Sequence, residues 1–182
     1  MVQPARIKMT ASEYLALSET NLPRHLIDGE VFEMTAPELE HQEVVGNIFV
    51  LFKRMAREIN GKAYVAPVDV EFDIENIVQP DTFLLLPDSR CQPVGTKRLS
   101  GPPDIITEVL SPRPAQFDRC EKFRLYERYG VREYWIAEPR DQLVTVWRLH
   151  DSGFVLLDVY GKGEKFTSAL IGEVDCHAIF EG

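Results

Sequence analysis

The alternation of hydrophobic and polar residues predicts a chain that mixes helices and strands. A short helix is expected over residues 11–17, followed by two apolar runs that flank Asp28-Gly29. An Asp-Gly pair between such runs is a strong signal for a β-hairpin. Thr35 and Glu38 then match a capping box, which predicts a long helix from there to about Asn60. Its buried face is predicted from residues at helical spacing: His41, Val45, Ile48, Phe52, Met55 and Ile59.

The middle of the chain reads as strands. Residues 68–73 alternate apolar and acidic side chains, which predicts a strand with one face in water. Residues 78–86 and 104–110 are apolar on both sides, which is typical of buried strands, and the first should be central in a sheet. Residues 87–103 are rich in Pro, Gly and Ser and are interpreted as a mobile loop carrying basic residues. The acids on the wet face of the first strand are Asp69, Glu71 and Asp73.

The C-terminal half predicts one helix and then further strands. The helix covers residues 116–129 and should end at Gly130. Strands are expected at residues 132–137, 144–148 and 154–159, followed by a short apolar piece around residues 171–180. No repeat or linker divides the chain. We therefore expect a single domain over residues 1–182, with a mixed central sheet and flanking helices.

Composition limits where the protein works and what it can bind. The three cysteines lack metal-ligand spacing, and residues 1–10 contain no apolar targeting segment, so we expect a cytoplasmic protein with free thiols. No stretch approaches the length of a membrane span. The net charge of −9 argues against a broad surface that grips polyphosphate. It leaves room for a small site in which a metal ion inverts the local field.

Lys122 is a charge in a position that should be apolar. At about 100° per residue, Lys122 shares one side of its helix with Leu125 and Tyr126, whereas Arg124 and Arg128 occupy the other. An ammonium on the inward side must meet an anion or lose its charge. The helix spacing therefore predicts a buried partner for Lys122.

Asp81 and Glu108 are the candidate anions, because each lies within a strand-like apolar run. An ionised carboxylate in such a place costs several kcal/mol unless it is paired or binds a metal. One interpretation is a structural salt bridge with Lys122. The other is a catalytic site, in which two carboxylates hold Mg²⁺ or a similar hard cation and the lysine orients water or stabilises an oxyanion. We favour the catalytic interpretation for the three residues together, since a purely structural triad is a poor source of stability.

Four further residues could belong to the same site. His41, at the start of the long helix, could be a metal ligand or orient a phosphate, or it could be an ordinary core histidine. Tyr126 lies one turn beyond Lys122 and could hydrogen-bond into the site or only pack there. Gln79 shares a strand face with Asp81 and could support it, whereas nothing in the sequence directs Glu30 inward.

A series of short motifs resembles a known family. Its pattern is similar to the PD-(D/E)xK nuclease superfamily, and more closely to the Uma-type restriction endonucleases found widely in bacteria. The motifs extend from about residue 24 to the C-terminus, and their order and spacing are more specific than any one of them. They are Leu26-Ile27-Asp28-Gly29-Glu30, Glu40-His41-Gln42, Pro67-Val68-Asp69-Val70, Val78-Gln79-Pro80-Asp81, Glu108-Val109-Leu110-Ser111, Glu121-Lys122-Phe123-Arg124-Leu125-Tyr126 and Gly130-Val131-Arg132-Glu133-Tyr134-Trp135.

The resemblance implies a restriction-endonuclease-like core, with a mixed four-stranded sheet flanked by helices and additional antiparallel strands. It carries a metal-binding role onto Asp81 and Glu108. The superfamily lysine lies two residues after the second acid, where this chain has Leu110. Lys122 on the following helix is expected to supply the missing charge, a relocation also expected in this family.

These observations predict a hydrolase that uses Mg²⁺ or Mn²⁺ to cleave phosphodiester bonds in DNA. Its catalytic residues would be Asp81, Glu108, Lys122 and His41, with the metal on Asp81 and Glu108. The alternative is a non-catalytic binding or accessory protein that keeps the fold. A homodimer would suit a duplex substrate, because its two-fold symmetry would match the paired strands. If the site is catalytic, its two acids and lysine should open together onto a cleft that solvent can reach.

Overall fold

The computed structural model describes residues 8–18, 24–33, 38–111 and 115–181. These residues contain four helices and fourteen strands. The helices are α1 (Ala11–Leu15), α2 (Leu39–Glu58), α3 (Ala115–Tyr129) and α4 (His177–Phe180). The strands are β1 (Arg24–Ile27), β2 (Glu30–Glu33), β3 (Lys62–Val65), β4 (Asp69–Asp73), β5 (Asn76–Val78), β6 (Thr82–Leu85), β7 (Gln92–Val94), β8 (Arg98–Ser100), β9 (Ile105–Val109), β10 (Glu133–Glu138), β11 (Leu143–His150), β12 (Gly153–Gly161), β13 (Lys165–Ser168) and β14 (Gly172–Asp175).

The strands form two six-stranded sheets and one small hairpin. The first sheet has the order β2-β1-β5-β4-β8-β7, and the second has the order β12-β11-β10-β9-β6-β3. In the second sheet β9 and β10 are parallel and the other pairs are antiparallel. This mixed sheet with helices against it confirms the predicted fold class.

The second sheet is covered by helices on both faces. On one face, α2 packs its apolar side against β9 and β10 around Phe52 and Trp135, whose rings meet edge to face at 5.2 Å. On the other face, α3 buries Leu125 and Tyr126 in a second cluster, which also contains side chains of the first sheet. Helix α3 therefore links the two sheets.

The predicted hairpin, the long helix and the second buried strand are confirmed. Asp28 and Gly29 have φ values of 48° and 78°, the left-handed conformation that a tight β1–β2 turn requires. Helix α2 buries the predicted face from His41 to Met55 but ends at Glu58. A Cβ atom at Gly61 would lie 2.4 Å from the carbonyl oxygen of Leu85, so the chain needs glycine there. The predicted capping box is wrong, because Glu38 is itself the N-cap of α2 and makes no side-chain capping hydrogen bond; Thr35 falls outside the described residues.

One strand prediction and one loop prediction are wrong. The run 78–86 is not one strand, because β5 ends at Val78 in the first sheet and β6 begins at Thr82 in the second. Pro80 lacks an N–H to continue a ladder, and residues 79–81 carry the chain between the sheets. The predicted loop 87–103 contains β7 and β8, an antiparallel pair at the edge of the first sheet.

The acids of β4 do not form a simple solvated face. Each is only partly exposed, and each has a polar partner. Asp69 accepts a hydrogen bond from Gln79, and Glu71 pairs with Arg98 at 3.1 Å. Asp73 accepts hydrogen bonds from Asn76 and from Tyr129 at the end of α3. These contacts hold the first sheet together and fasten it to α3.

No helix among the described residues is long and apolar enough to cross a bilayer.

Candidate active site

Asp81 lies immediately before β6, at the point where the chain enters the second sheet. Strand β6 runs antiparallel to β9, with Thr82 opposite Thr107. Continuing that register by one residue brings Asp81 opposite Glu108. The backbone N–H of Val109 donates to Asp81 Oδ2 at 2.8 Å, which fixes the carboxylate against the end of β9. The Asp81 side chain is 21% exposed.

Glu108 is buried in β9, and two side chains of α3 bind its carboxylate. Lys122 Nζ lies 3.0 Å from Oε2, and the Tyr126 hydroxyl donates to Oε1 at 2.6 Å. Lys122 and Tyr126 are four residues apart, so they project from the same side of the helix. The predicted inward orientation of Lys122 is therefore confirmed. Tyr126, which the sequence left open, hydrogen-bonds to Glu108 instead of only packing.

His41 contacts Asp81 from the first turn of α2. Its Nε2 lies 3.3 Å from Asp81 Oδ2. Burial of the imidazole lowers its pKa, but the hydrogen bond and charge of Asp81 act the other way, helped by the charge of Glu108 and the backbone of Val109. The net effect raises the pKa of His41, which favours an imidazolium beside the two carboxylates. Its Nδ1 is buried and has no hydrogen-bond partner among the described residues.

The structure brings all four predicted residues into one chain of contacts. Lys122 touches Glu108, Asp81 accepts from the residue after Glu108, and His41 touches Asp81. We expected Asp81, Glu108 and Lys122 to open together onto a cleft that solvent can reach. This is wrong for Glu108 and Lys122, whose side chains are only 8% and 3% exposed. Their mutual hydrogen bond and the packing of α3 close that end. Solvent reaches the cluster at Asp81.

His25 is a neighbour of the site that the sequence did not indicate. It is buried in β1, and its Nδ1 accepts the backbone N–H of Gln79 at 3.1 Å. Burial, together with the nearby charge of Lys122, holds the pKa of His25 well below its ordinary value. The imidazole is therefore neutral and steadies the segment that leads to Asp81. A single histidine in a short strand gives no signal for this role.

Gln79 does not support Asp81 directly. Its side-chain amide donates to Asp69 Oδ1 at 2.9 Å, in the first sheet. Together with the His25 bond to its backbone, this contact fixes the turn between the two sheets on both sides of the chain. Glu30, for which the sequence gave no direction, lies in β2.

The donor chemistry of the site fits a hard divalent cation. Asp81 and Glu108 supply carboxylate oxygens from facing strand positions, and Mg²⁺ is commonly held by one or two carboxylates with water and substrate oxygens completing the shell. No three His, Cys, Asp or Glu side chains in the described part of the chain are grouped closely enough to enclose a metal. Any cation here would consequently depend on water and substrate for most of its ligands.

The fold of this chain has a counterpart among solved structures. The fold is similar to that of a crystal structure described as "a putative nuclease belonging to DUF820" from Anabaena variabilis, with a TM-score of 0.78, 17% sequence identity, and coverage of 94% of this chain and 97% of that one. The fold class is therefore a mixed α/β architecture with helices flanking mixed sheets, shared with that structure.

The family follows from the sequence as a whole. Residues 11–176 match the Uma2 family, described as "Putative restriction endonuclease", and the chain belongs to that family. It is also 24% identical over 172 residues to "Uncharacterized protein slr1290" of Synechocystis sp., a match that covers 91% of this chain and 87% of the relative. The resemblance to the Uma-type family seen in the short motifs is thus confirmed.

Proposed function

We propose that this protein is a metal-dependent endonuclease that hydrolyses phosphodiester bonds in DNA. The observation that carries the proposal is that Asp81, one residue before β6, is fixed by the backbone N–H of Val109 beside Glu108 of β9, whose carboxylate binds Lys122. Family membership and the structural similarity support a nuclease in general. The divalent cation and the DNA substrate are inferred from the residues.

Asp81 and Glu108 are the residues that would hold Mg²⁺ or Mn²⁺. When bound, the cation would acidify a water molecule and neutralise charge on the phosphate. Lys122 contributes a fixed positive charge, which can orient the attacking water or stabilise the developing oxyanion. Tyr126 holds Glu108 in place through its 2.6 Å hydrogen bond and acts as a positioning residue.

His41 adds a second positive charge at the solvent-facing end of the cluster. Burial opposes protonation of His41, but Asp81 raises its pKa, and the protonated imidazole could hold a phosphate oxygen or give a proton to the leaving oxygen. The competing interpretation is that His41 only fixes Asp81. Replacement of His41 by Gln separates these roles, since a neutral donor keeps a hydrogen bond but cannot transfer a proton.

The direct test is cleavage of supercoiled and linear DNA with Mg²⁺ or Mn²⁺. Asp81→Asn, Glu108→Gln and Lys122→Met should each abolish divalent-dependent nicking. Asp88→Asn serves as the control, because Asp88 is an exposed acid close in sequence to Asp81. Equal nicking by the wild-type protein and Asp81→Asn would contradict the assignment.

The alternative, a non-catalytic accessory protein with a nuclease fold, has two observations in its favour. Glu108 and Lys122 satisfy each other within a nearly closed site, and the net charge is −9. A rise in melting temperature with Mg²⁺ or Mn²⁺ that disappears in Glu108→Gln would count against this alternative. No divalent effect on either protein would support it.

A homodimer is the partner arrangement that we propose. Strand β12 forms an edge of the second sheet, and Asp158 is the only charged residue in it. Such an edge is unusually open to strand pairing, and two copies can pair antiparallel about a two-fold axis. Light scattering should give twice the chain mass, and Leu156→Lys should shift it toward one chain mass. The exposed hydrophobic residues of β12 are Val155, Leu156, Leu157 and Val159.

We also infer a cytoplasmic location, supported by the free thiols of Cys91, Cys120 and Cys176.

A further inference from the structure

A pocket of about 400 Å³ lies between α3, β10 and β11, outside the cluster described above. Its volume is within the range of small-molecule sites, roughly 300–1,000 Å³. It is lined by Cys120, Phe123, Arg124, Ile136, Glu138, Thr145 and Trp147.

This pocket is next to the candidate active site. Ile136, one of its walls, is paired with Glu108 in the parallel β9–β10 register. Phe123, another wall, follows Lys122 directly on α3. A ligand in the pocket would therefore contact the strand next to Glu108 and the helix residue next to Lys122, the residues that we assign to phosphodiester cleavage.

The lining has the features of a site for a flat heterocycle. Phe123 and Trp147 meet edge to face, with ring centroids 4.9 Å apart, and Ile136 adds an aliphatic surface. The Trp147 indole nitrogen is buried and has no hydrogen-bond partner among the described residues. A buried donor without an acceptor is costly, and a rotation of the indole that brought its N–H to a ring carbonyl or ring nitrogen of a ligand would remove that cost. Thr145 adds a hydroxyl.

Arg124 lines the pocket together with the Glu138 carboxylate, and its guanidinium is the group that can bind an attached phosphate. The Arg124 side chain is 75% exposed, and its contact with Glu121 is long, at 3.9 Å. An exposed pair of this kind contributes little, so the guanidinium can turn to a phosphate oxygen at small cost. Guanidinium groups bind phosphate well because their paired donors match its oxygens.

The overall charge favours contact with a base. A chain with a net charge of −9 cannot rely on many phosphate contacts for affinity, which is the usual source in nucleic-acid binding. Contacts between aromatic side chains and bases provide an alternative that does not require a basic surface.

We propose that this pocket binds one unstacked nucleobase of the substrate, next to the phosphodiester bond that is cut. The proposal rests on the nuclease function and specifies its substrate: single-stranded DNA, or a duplex with a nucleotide turned out of the stack. A base paired within a regular duplex cannot enter such a pocket, because it would first have to leave its neighbours.

The first test measures binding without cleavage. NMR titrations without divalent cations would compare the four deoxynucleoside 5′-monophosphates with deoxyribose 5-phosphate, which lacks a base. Wild-type protein should bind at least one nucleotide about tenfold or more tightly than the sugar phosphate. Cys120→Trp, which fills the pocket from its exposed rim, and Trp147→Ala should abolish that difference. Cys120→Ser is the matched control and should bind as wild type.

The second test uses cleavage, and it separates failure of this inference from failure of the proposed function. Single-stranded oligonucleotides carrying one abasic position would be cut in the presence of Mn²⁺. Wild type should cut the bond beside the abasic position about tenfold more slowly than the corresponding bond in intact DNA, and Cys120→Trp should show no such difference. Nucleotide binding without any cleavage would overturn the nuclease function and support the pocket.

Cleavage that depends on Asp81 but is unaffected by the abasic position or by Cys120→Trp would overturn the pocket and leave the nuclease function standing. Equal binding of nucleotides and deoxyribose 5-phosphate by wild type would also overturn it.

Discussion

Removal of the Lys122 ammonium is the change whose energetic consequence the structure defines best. In Lys122→Met the aliphatic volume is nearly kept, but Glu108 loses its cation while its side chain stays 92% buried. Tyr126 still donates to Oε1, so one of the two carboxylate oxygens keeps its partner. The variant therefore tests the charge and not the packing.

The expected loss of stability is about 3–5 kcal/mol at pH 7, the usual cost of breaking one side of a buried ion pair. Neutralising the Glu108 carboxylate costs a similar amount. The carboxyl can escape its charge by taking up a proton, and protonating a group with an ordinary pKa of about 4.3 costs about 3.7 kcal/mol at pH 7. For a chain of this size, a loss of that amount lowers the melting temperature by roughly 8–15 °C.

Urea unfolding followed by circular dichroism measures this loss. At pH 4.5 the penalty for Lys122→Met should be clearly smaller than at pH 7, since a carboxyl takes up its proton there at little cost. The triple variant Lys122→Met/Glu108→Leu/Tyr126→Phe should regain wild-type stability or exceed it, because an apolar set of similar volume avoids desolvation and leaves no Tyr126 hydroxyl without its Glu108 acceptor. Lys165→Met, in an exposed pair with Glu173, is the control and should leave stability unchanged. A loss below about 1 kcal/mol for Lys122→Met at pH 7 would refute the reasoning.

Three other predictions concern the surroundings of the site. Asp81→Asn should lower the pKa of His41, measured by NMR titration of the metal-free protein, because the hydrogen bond and charge that raise it are removed. In the wild-type protein, the stabilisation due to protonated His41 is fully present below the unfolded pKa of about 6.5 and is lost as the pH rises through the higher folded pKa. The difference in unfolding free energy between wild type and Asp81→Asn should therefore narrow toward alkaline pH. A difference that stays constant with pH would contradict this. His25 acts in the opposite sense, because its pKa in the folded protein is depressed. Its contribution to the free energy of unfolding is present above a pH of about 6.5 and is lost as the pH falls toward the folded pKa. His25→Asn should therefore make the free energy of unfolding depend less on pH on the acid side. Glu133→Ala should cost about 2–4 kcal/mol in urea unfolding, because it leaves the Trp135 indole N–H and the Ala169 backbone N–H without their acceptor; an unchanged midpoint would show that these donors find other partners.

Periodicity predicted the elements whose burial follows a single pattern. The apolar face of α2, the Asp28-Gly29 turn and the fully buried β9 were all evident from spacing. The inward position of Lys122 was evident for the same reason, because a lysine in line with Leu125 and Tyr126 violates the helix pattern. A violated pattern was the strongest functional signal in this chain.

Other features depend on tertiary packing and leave no local pattern. The apolar run around Pro80 hid the passage from the first sheet to the second, since both sheets bury their strands. The turn-forming composition of residues 87–103 hid β7 and β8, which form a short edge hairpin. The role of His25 depends on a backbone N–H 54 residues away, and the closure of Glu108 depends on how α3 packs.

Binding of Mn²⁺, followed by electron paramagnetic resonance, tests the account most directly, because it asks whether Asp81 and Glu108 hold a divalent cation. Wild-type protein and Asp88→Asn should each remove one equivalent of Mn²⁺ from the free-ion signal, whereas Asp81→Asn and Glu108→Gln should leave the signal undiminished. The same uptake by all four proteins, or uptake by none, would contradict it.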